Sequence, residues 1–202
     1  MITIVDYGMG NLGSLRNMFQ RIEVPVLITS DPETIKGAEK LILPGVGAFD
    51  SAMQRINDVP QLRQALDYKA LQERIPVLGV CLGMQLMTLG SEEGSLPGLG
   101  WIPAETKRFP KSDELKVPHM GWNLATPHGL SAITQGIEDE PRYYFVHSYF
   151  VQTHHPDHSI MKTRYGIEFD SAIGNGHLYG VQFHPEKSHR FGMRILKNFA
   201  EL

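Results

Sequence analysis

Through the first half of the chain, short apolar runs rich in β-branched residues alternate with stretches whose apolar positions recur at helical spacing. Runs of the first kind suit strands; stretches of the second suit helices with one buried face. The expected strands are Ile2–Val5, Val26–Thr29, Lys40–Leu43 and Pro76–Val80. Between them, Leu12, Leu15, Met18, Phe19 and Ile22 share one helical face, as do Phe49, Ala52, Met53 and Ile56, and then Leu62, Ala65, Leu66, Ala70 and Leu71. Such alternation predicts a parallel sheet covered by helices. After Gly90 the texture changes to aromatic and β-branched runs cut by Pro and Gly: Tyr143–Val151, Ile167–Ile173 and His177–Phe183, the last two joined by a Gly174-Asn175-Gly176 turn. This half reads as more antiparallel. A final helix is expected from Ser188, its N-cap, with Phe191, Ile195, Leu196 and Phe199 on one face.

Composition narrows the class. The 202 residues are 42% hydrophobic and 20% charged, an ordinary globular mix that excludes disorder and fibrous repeats. With no linker, repeat or low-complexity tract, residues 1–202 read as one domain. A net charge of −3 supplies no basic field to draw the chain onto nucleic acid or an anionic membrane. The amino terminus lacks a basic region ahead of Asp6 and does not read as a signal peptide. The uncharged stretch Ile75–Ser91 holds Pro76, three glycines, Gln85 and Thr88, and reads as a buried strand entering a buried helix rather than a membrane span. One cysteine, Cys81, cannot form an internal disulfide, which suits a reducing compartment, with the cytosol as the expected location.

Two motifs look chemical and are read otherwise. Gly8-Met9-Gly10-Asn11-Leu12-Gly13 has the form G-x-G-x-x-G, with Asp31 after the second strand, as in a dinucleotide fingerprint. Asp6 beside the first glycine would repel a pyrophosphate, so a tight strand-to-helix turn is the better reading. In His154-His155-Pro156-Asp157-His158, Pro156 interrupts helical ligand spacing, so a solvated loop is preferred to a metal site. No metal and no cofactor are expected.

A sharper constellation starts at Gly79-Val80-Cys81-Leu82-Gly83, a G-x-S-x-G elbow with Cys for Ser between strand and helix. Such a turn projects its central side chain, aims the backbone N–H of the next residue, Leu82, at a reacting oxygen, and favours a thiolate at the helix start. The elbow alone leaves two readings open, a nucleophile or a buried structural cysteine. A nucleophile needs a proton shuttle, and His184-Pro185-Glu186 after an apolar run offers an imidazole with a carboxylate to orient it. By itself that tripeptide also suits a surface turn. Leu43-Pro44-Gly45-Val46-Gly47 could present backbone N–H groups, Val46 among them, to an oxyanion, or simply turn the chain. His147-Ser148-Tyr149 could contact a substrate, although His147 alone suits a satisfied sheet histidine.

Taken together, Leu41–Gly47, Gly79–Gln85 and Gln182–Ser188 are similar, in order and spacing, to the class I glutamine amidotransferases, and the resemblance runs through nearly the whole chain. Asp6–Leu12, Pro118–Asn123 and Tyr144–Tyr149 resemble most the glutaminase subunits of imidazole glycerol phosphate synthases. The resemblance implies an α/β fold, a doubly wound, mostly parallel, flavodoxin-like sheet with helices on both faces and an antiparallel extension. It implies a Cys81–His184–Glu186 triad that hydrolyses glutamine to glutamate and ammonia, with Gly47, Gln85, His147, Ser148 and Tyr149 holding the substrate's amino-acid part. It further implies a heterodimer with a (β/α)₈-barrel synthase that receives the ammonia in histidine biosynthesis and makes imidazole glycerol phosphate and aminoimidazole carboxamide ribonucleotide. Asn11, Trp122 and Lys187 match partner-facing positions. Leu124–Pro141 and the His154–His158 loop have no counterpart in the pattern and read as surface. The alternatives are a glutaminase feeding a synthase that aminates nucleotide-linked sugars, a stand-alone cysteine hydrolase of the same fold, and a silent scaffold subunit.

Overall fold

The computed structural model describes residues 1–111 and 115–202. The strands in chain order are β1 (Ile2–Val5), β2 (Val26–Thr29), β3 (Lys40–Leu43), β4 (Val77–Val80), β5 (Ala104–Arg108), β6 (His119–Leu124), β7 (Thr126–Pro127), β8 (Arg142–His147), β9 (Tyr149–Thr153), β10 (Ser159–Tyr165), β11 (Ile167–Asn175) and β12 (Leu178–Val181). The helices are α1 (Leu12–Arg21), α2 (Pro32–Lys36), α3 (Phe49–Asn57), α4 (Pro60–Asp67), α5 (Leu82–Leu86) and α6 (His189–Ala200). The main sheet runs β2-β1-β3-β4-β12-β11-β10-β7; its pairings from β2 to β12 are parallel and those beyond are antiparallel. β9 joins β11 to β5, while β6 and β8 form a separate antiparallel ribbon. This is the mostly parallel sheet with an antiparallel extension that the hydrophobic pattern predicts.

Alternation along the parallel strands feeds two cores. Leu41, Leu43 and Val77 pack with α3 and α4 on one face, while Ile42, Leu78 and Val80 pack with α1 and α6 on the other. Four differences from expectation have local causes. Leu71 is 48% exposed and Lys69 takes the inward position with its amine on the Lys36 carbonyl, because the α-helix ends at Asp67 and Tyr68–Gln72 form a π-helical turn whose wider winding shifts the expected face. The helix expected after the elbow is short, running from Leu82 to Leu86, where Thr88 Oγ1 donates to the Gln85 carbonyl and Leu89 turns away to pair with Ala104. The hairpin turn falls at Gly176-His177, not at Gly174, because Gly174 lies in β11 against Ile160 and Asn175 pairs with Leu178. Ser188 occupies the N-cap position without capping: its hydroxyl donates to the His184 carbonyl and accepts the Tyr144 N–H.

Two expectations about loops also change. Leu124–Pro141 is not merely surface: Ala125 and Ile133 are fully buried, and Asn198 of α6 donates to the carbonyls of Ile133 and Gln135. The single run expected at Tyr143–Val151 is broken by a bend at Ser148 into β8 and β9, which lie in different sheets. That break brings His147, Ser148 and Tyr149 to the edge of a cleft.

Candidate active site

Three neighbouring parallel strands end side by side. In the order β3-β4-β12, Leu43 leads into Pro44-Gly45-Val46-Gly47, Val80 into Cys81, and Val181 into Gln182-Phe183-His184. Carboxyl ends of parallel strands are where open α/β sheets hold their ligands.

Cys81 occupies the elbow with φ +53° and ψ −109°, a region costly for a residue with a side chain. Its surroundings hold it there: its N–H donates to Val181, and its carbonyl accepts from Met84 and Gln85. The flanking glycines are needed for space. A Cβ on Gly83 would sit 1.8 Å from the Leu43 carbonyl oxygen, and one on Gly79 would sit 2.7 Å from that of Gly83.

His184 Nδ1 lies 2.9 Å from Glu186 Oε1, and both side chains are only 2% exposed. Burial opposes the imidazolium, but hydrogen bonding and charge from Cys81 and Glu186 outweigh it and push the His184 pKa up to about 10. With Nδ1 committed to Glu186, the buried Nε2 has no hydrogen-bond partner among the described residues and is left for the neighbouring thiol of Cys81. The arrangement can move a proton between Cys81 and His184 while Glu186 holds the ring.

A cleft of about 350 Å³ opens over Cys81, the lower end of the range for small-molecule sites. Cys81, His184, Val46, Gly47, Leu82 and Gln85 line one side, and His147, Ser148 and Tyr149 the other. Glu186 stands behind His184, off the wall. The wall also includes Pro118, Val146 and Glu93, none of them anticipated. Glu93 accepts the Phe49 N–H at the start of α3, but nothing in Ser91-Glu92-Glu93-Gly94 separates it from its neighbour as a sequence. Gln182 was also missed; a buried glutamine closing an apolar strand was the available signal.

The donors beside the cysteine are arranged unexpectedly. Leu82 N–H donates to the Gly45 carbonyl at 3.3 Å, so the Gly45–Val46 peptide turns its oxygen toward the elbow. In a trans peptide the Val46 N–H then points the opposite way. Tyr7 Oη anchors the preceding carbonyl, that of Pro44, at 2.6 Å.

A fixed hydrogen-bond chain supports the far wall. The Tyr149 carbonyl can only accept, so His147 Nδ1 donates to it at 2.7 Å and Nε2 accepts from His119 Nδ1 at 2.9 Å. His119 Nε2 accepts in turn from Asn123 Nδ2 at 3.2 Å. Burial keeps both rings neutral, lowering the pKa of His147 to about 3 and of His119 to about 4.

Asn11, Trp122 and Lys187 lie outside the cleft and are exposed. Asn11 Oδ1 caps α1 by accepting the Ser14 N–H. Trp122 stacks on His189 at 5.4 Å and meets the edge of Tyr144, whose face Lys187 covers at 5.6 Å, so three aromatic rings and an ammonium form one patch. In the His154–His158 loop the rings of His155 and His158 meet edge to face. Among the described residues no three His, Cys, Asp or Glu side chains are grouped to hold a metal, and no helix is long and apolar enough to cross a membrane.

The family model for glutamine amidotransferase class-I matches residues 3–202. The chain belongs to that family. The amidotransferase is 46% identical to the imidazole glycerol phosphate synthase subunit HisH of Bdellovibrio bacteriovorus, over the whole of both chains. It is 49% identical to HisH 2 of Methanococcus maripaludis, covering 100% of this chain and 99% of that one, and 47% identical to HisH 2 of Pseudomonas aeruginosa over all of both. Among solved structures, a glutamine amidotransferase superposes with a TM-score of 0.75 at 16% identity, covering 100% of this chain and 98% of that one. PurLQS from Thermotoga maritima gives 0.71 at 13% identity, covering 99% and 97%. At such identities these two speak for the fold of the amidotransferase alone.

Proposed function

We propose that this amidotransferase is the glutaminase subunit of an imidazole glycerol phosphate synthase, hydrolysing L-glutamine and passing ammonia to a synthase subunit in histidine biosynthesis. The chemistry rests on one observation above all: a strained, nearly buried cysteine beside an imidazole held by a buried carboxylate, at the floor of a cleft sized for one amino acid. Likeness to HisH subunits along the full chain supports the choice of synthase.

In this reading the thiol proton of Cys81 resides on His184 Nε2, as the raised pKa of that imidazole favours, and the thiolate attacks the carboxamide carbon. The tetrahedral oxyanion is held by the N–H groups of Leu82 and Val46, once the Gly45–Val46 peptide has turned. Collapse expels the amide nitrogen, which leaves as ammonia after taking the proton from His184, and a thioester remains on Cys81. Water, deprotonated by His184, attacks the thioester; glutamate departs and the thiol is restored. Glu186 holds the imidazole in the tautomer that keeps Nε2 toward the sulfur. Gly47, Gln85, His147, Ser148 and Tyr149 shape the space for the α-amino acid, and Glu93, a carboxylate on that wall, complements its ammonium.

The aromatic patch at Trp122, with Lys187 and Asn11, is the surface we assign to the synthase subunit, a (β/α)₈ barrel bound as a heterodimer. Mixing the chain with the barrel synthase tests this: a one-to-one complex should form, and glutamate release should rise when the nucleotide substrate is added. A chain that releases no glutamate in that complex, or forms none, would overturn the proposal.

A further inference from the structure

Among the described residues the sulfur of Cys81 accepts a side-chain hydrogen bond from Nε2 of Gln182, 3.7 Å away. Gln182 is fully buried and directly follows β12, two residues before His184. The direction of this contact is set elsewhere. The Tyr149 carbonyl accepts from Gln85 Nε2 at 3.2 Å, which fixes the orientation of the Gln85 amide. The same Gln85 nitrogen donates to Gln182 Oε1 at 3.0 Å, so Gln182 must turn its oxygen to Gln85 and its NH₂ group to the sulfur. A buried amide so oriented offers the cysteine only N–H.

We propose that Gln182 is a further catalytic residue of the glutaminase, its side-chain N–H holding the Cys81 sulfur in place and favouring the thiolate that attacks the substrate. This rests on the glutaminase reading. A donor interacts more strongly with a charged acceptor than with a neutral one, so the contact strengthens when the proton passes to His184. It also ties the nucleophile to the substrate wall, since Gln85 and Tyr149 line the cleft and Gln182 joins Gln85 to the sulfur.

The test uses the full chain and the rate at which iodoacetamide alkylates Cys81 across a range of pH. The titratable groups around the sulfur are His184 and Glu186 after β12, Tyr7 beyond β1, His147 at the end of β8 and Glu93 on the cleft wall; all stay in place, so a shift reports on Gln182. Gln182→Met, which lacks the donor, should slow alkylation at neutral pH about tenfold, the size expected of a hydrogen bond to a charged group, and move the profile to higher pH. Gln182→Glu keeps an acceptor for Gln85 but brings a negative charge to the sulfur. It should move the profile further and lower kcat for glutamine more than it raises KM. A folded Gln182→Glu protein with an unmoved alkylation profile would overturn the proposal. Should neither variant fold, the side-chain amide proton signal of Gln182 in the otherwise unmodified chain should move when Cys81→Ala removes the sulfur; an unmoved signal would overturn it equally. The alkylation and resonance readouts need no glutamine turnover. Glutamine hydrolysis persisting in Cys81→Ala would instead defeat the glutaminase reading itself.

Discussion

The N–H of Leu82 donates to the carbonyl oxygen of Gly45, so the loop that should help hold an oxyanion instead occupies the donor next to Cys81. Freeing that donor and presenting the Val46 N–H are one motion, a turn of the Gly45–Val46 peptide through ψ of Gly45 and φ of Val46. A missing oxyanion donor costs roughly 10²–10³ in rate. The isolated chain should therefore hydrolyse glutamine slowly, and partner binding should raise kcat with little change in KM by shifting the population of this peptide. Tyr7→Phe, which keeps the ring but releases the Pro44 carbonyl, should raise the unstimulated rate of glutamate release several-fold. An unchanged rate would show that this anchor does not hold the peptide. Gly45→Ala is a poorer probe, because its Cβ would lie 2.6 Å from Tyr7 Oη and 2.9 Å from Leu82 Cβ, disturbing the resting loop as well as its turn.

Cys81→Ala should abolish glutamine hydrolysis while the complex still turns over with ammonium salts, because only the source of ammonia is removed. His184→Ala should do nearly the same. Glu186→Gln should retain partial activity, since it still fills the space behind the ring and an orienting group is usually worth less than the nucleophile or base. Steady-state glutamate release, measured beside the ammonium-driven reaction, separates these outcomes. Full activity in His184→Ala would remove it from the proton path.

What was legible in the sequence was what local pattern controls. β1, β2 and β3 fall on the expected residues because each is a short apolar run closed by a polar or turn residue, and Phe49, Ala52, Met53 and Ile56 are all fully buried as their spacing requires. The glycines of the elbow could be read because no side chain fits at Gly79 or Gly83. What was not legible depends on distant partners. Glu93 reaches the cleft because its loop folds back onto the start of α3, and Gln182 meets the sulfur only because β12 lies beside β4. The break at Ser148 depends on β8 pairing with β6 while β9 pairs with β5. Leu71 was misplaced because a π-helical turn at Tyr68–Gln72 replaces the α-helical spacing that its expected face assumed.

The buried histidines predict opposite limbs in a pH–stability profile. His119 and His147 have pKa values lowered from 6.5 to about 4 and about 3, so the unfolded chain takes up protons that the native state refuses. Their contribution is full above pH 6.5 and is lost as pH falls toward those values. His184 is raised from 6.5 to about 10, so its contribution is full below pH 6.5 and is lost as pH rises through 10. Urea midpoints should fall on both sides of neutrality. His184→Gln should flatten the alkaline limb and spare the acid one, and an unaltered alkaline limb in that variant would assign it to other groups.

Trp122 is 46% exposed, stands on the outer ribbon opposite Tyr144, and rests its ring on His189 rather than in either core. Truncating it removes little internal packing, so Trp122→Ala should leave the thermal midpoint nearly unchanged. Aromatic anchors at the centre of an interface commonly cost ~2 kcal/mol or more when truncated, so association with the synthase subunit should weaken by about thirtyfold or more. Lys187→Ala should cost less, because an exposed ammonium over the Tyr144 ring belongs to a solvated rim. Calorimetric titration of the two subunits distinguishes these cases. A Trp122→Ala chain that binds the synthase with unchanged affinity but melts at lower temperature would place the ring in the fold's own packing, and the patch it shares with Lys187 would no longer be the docking surface.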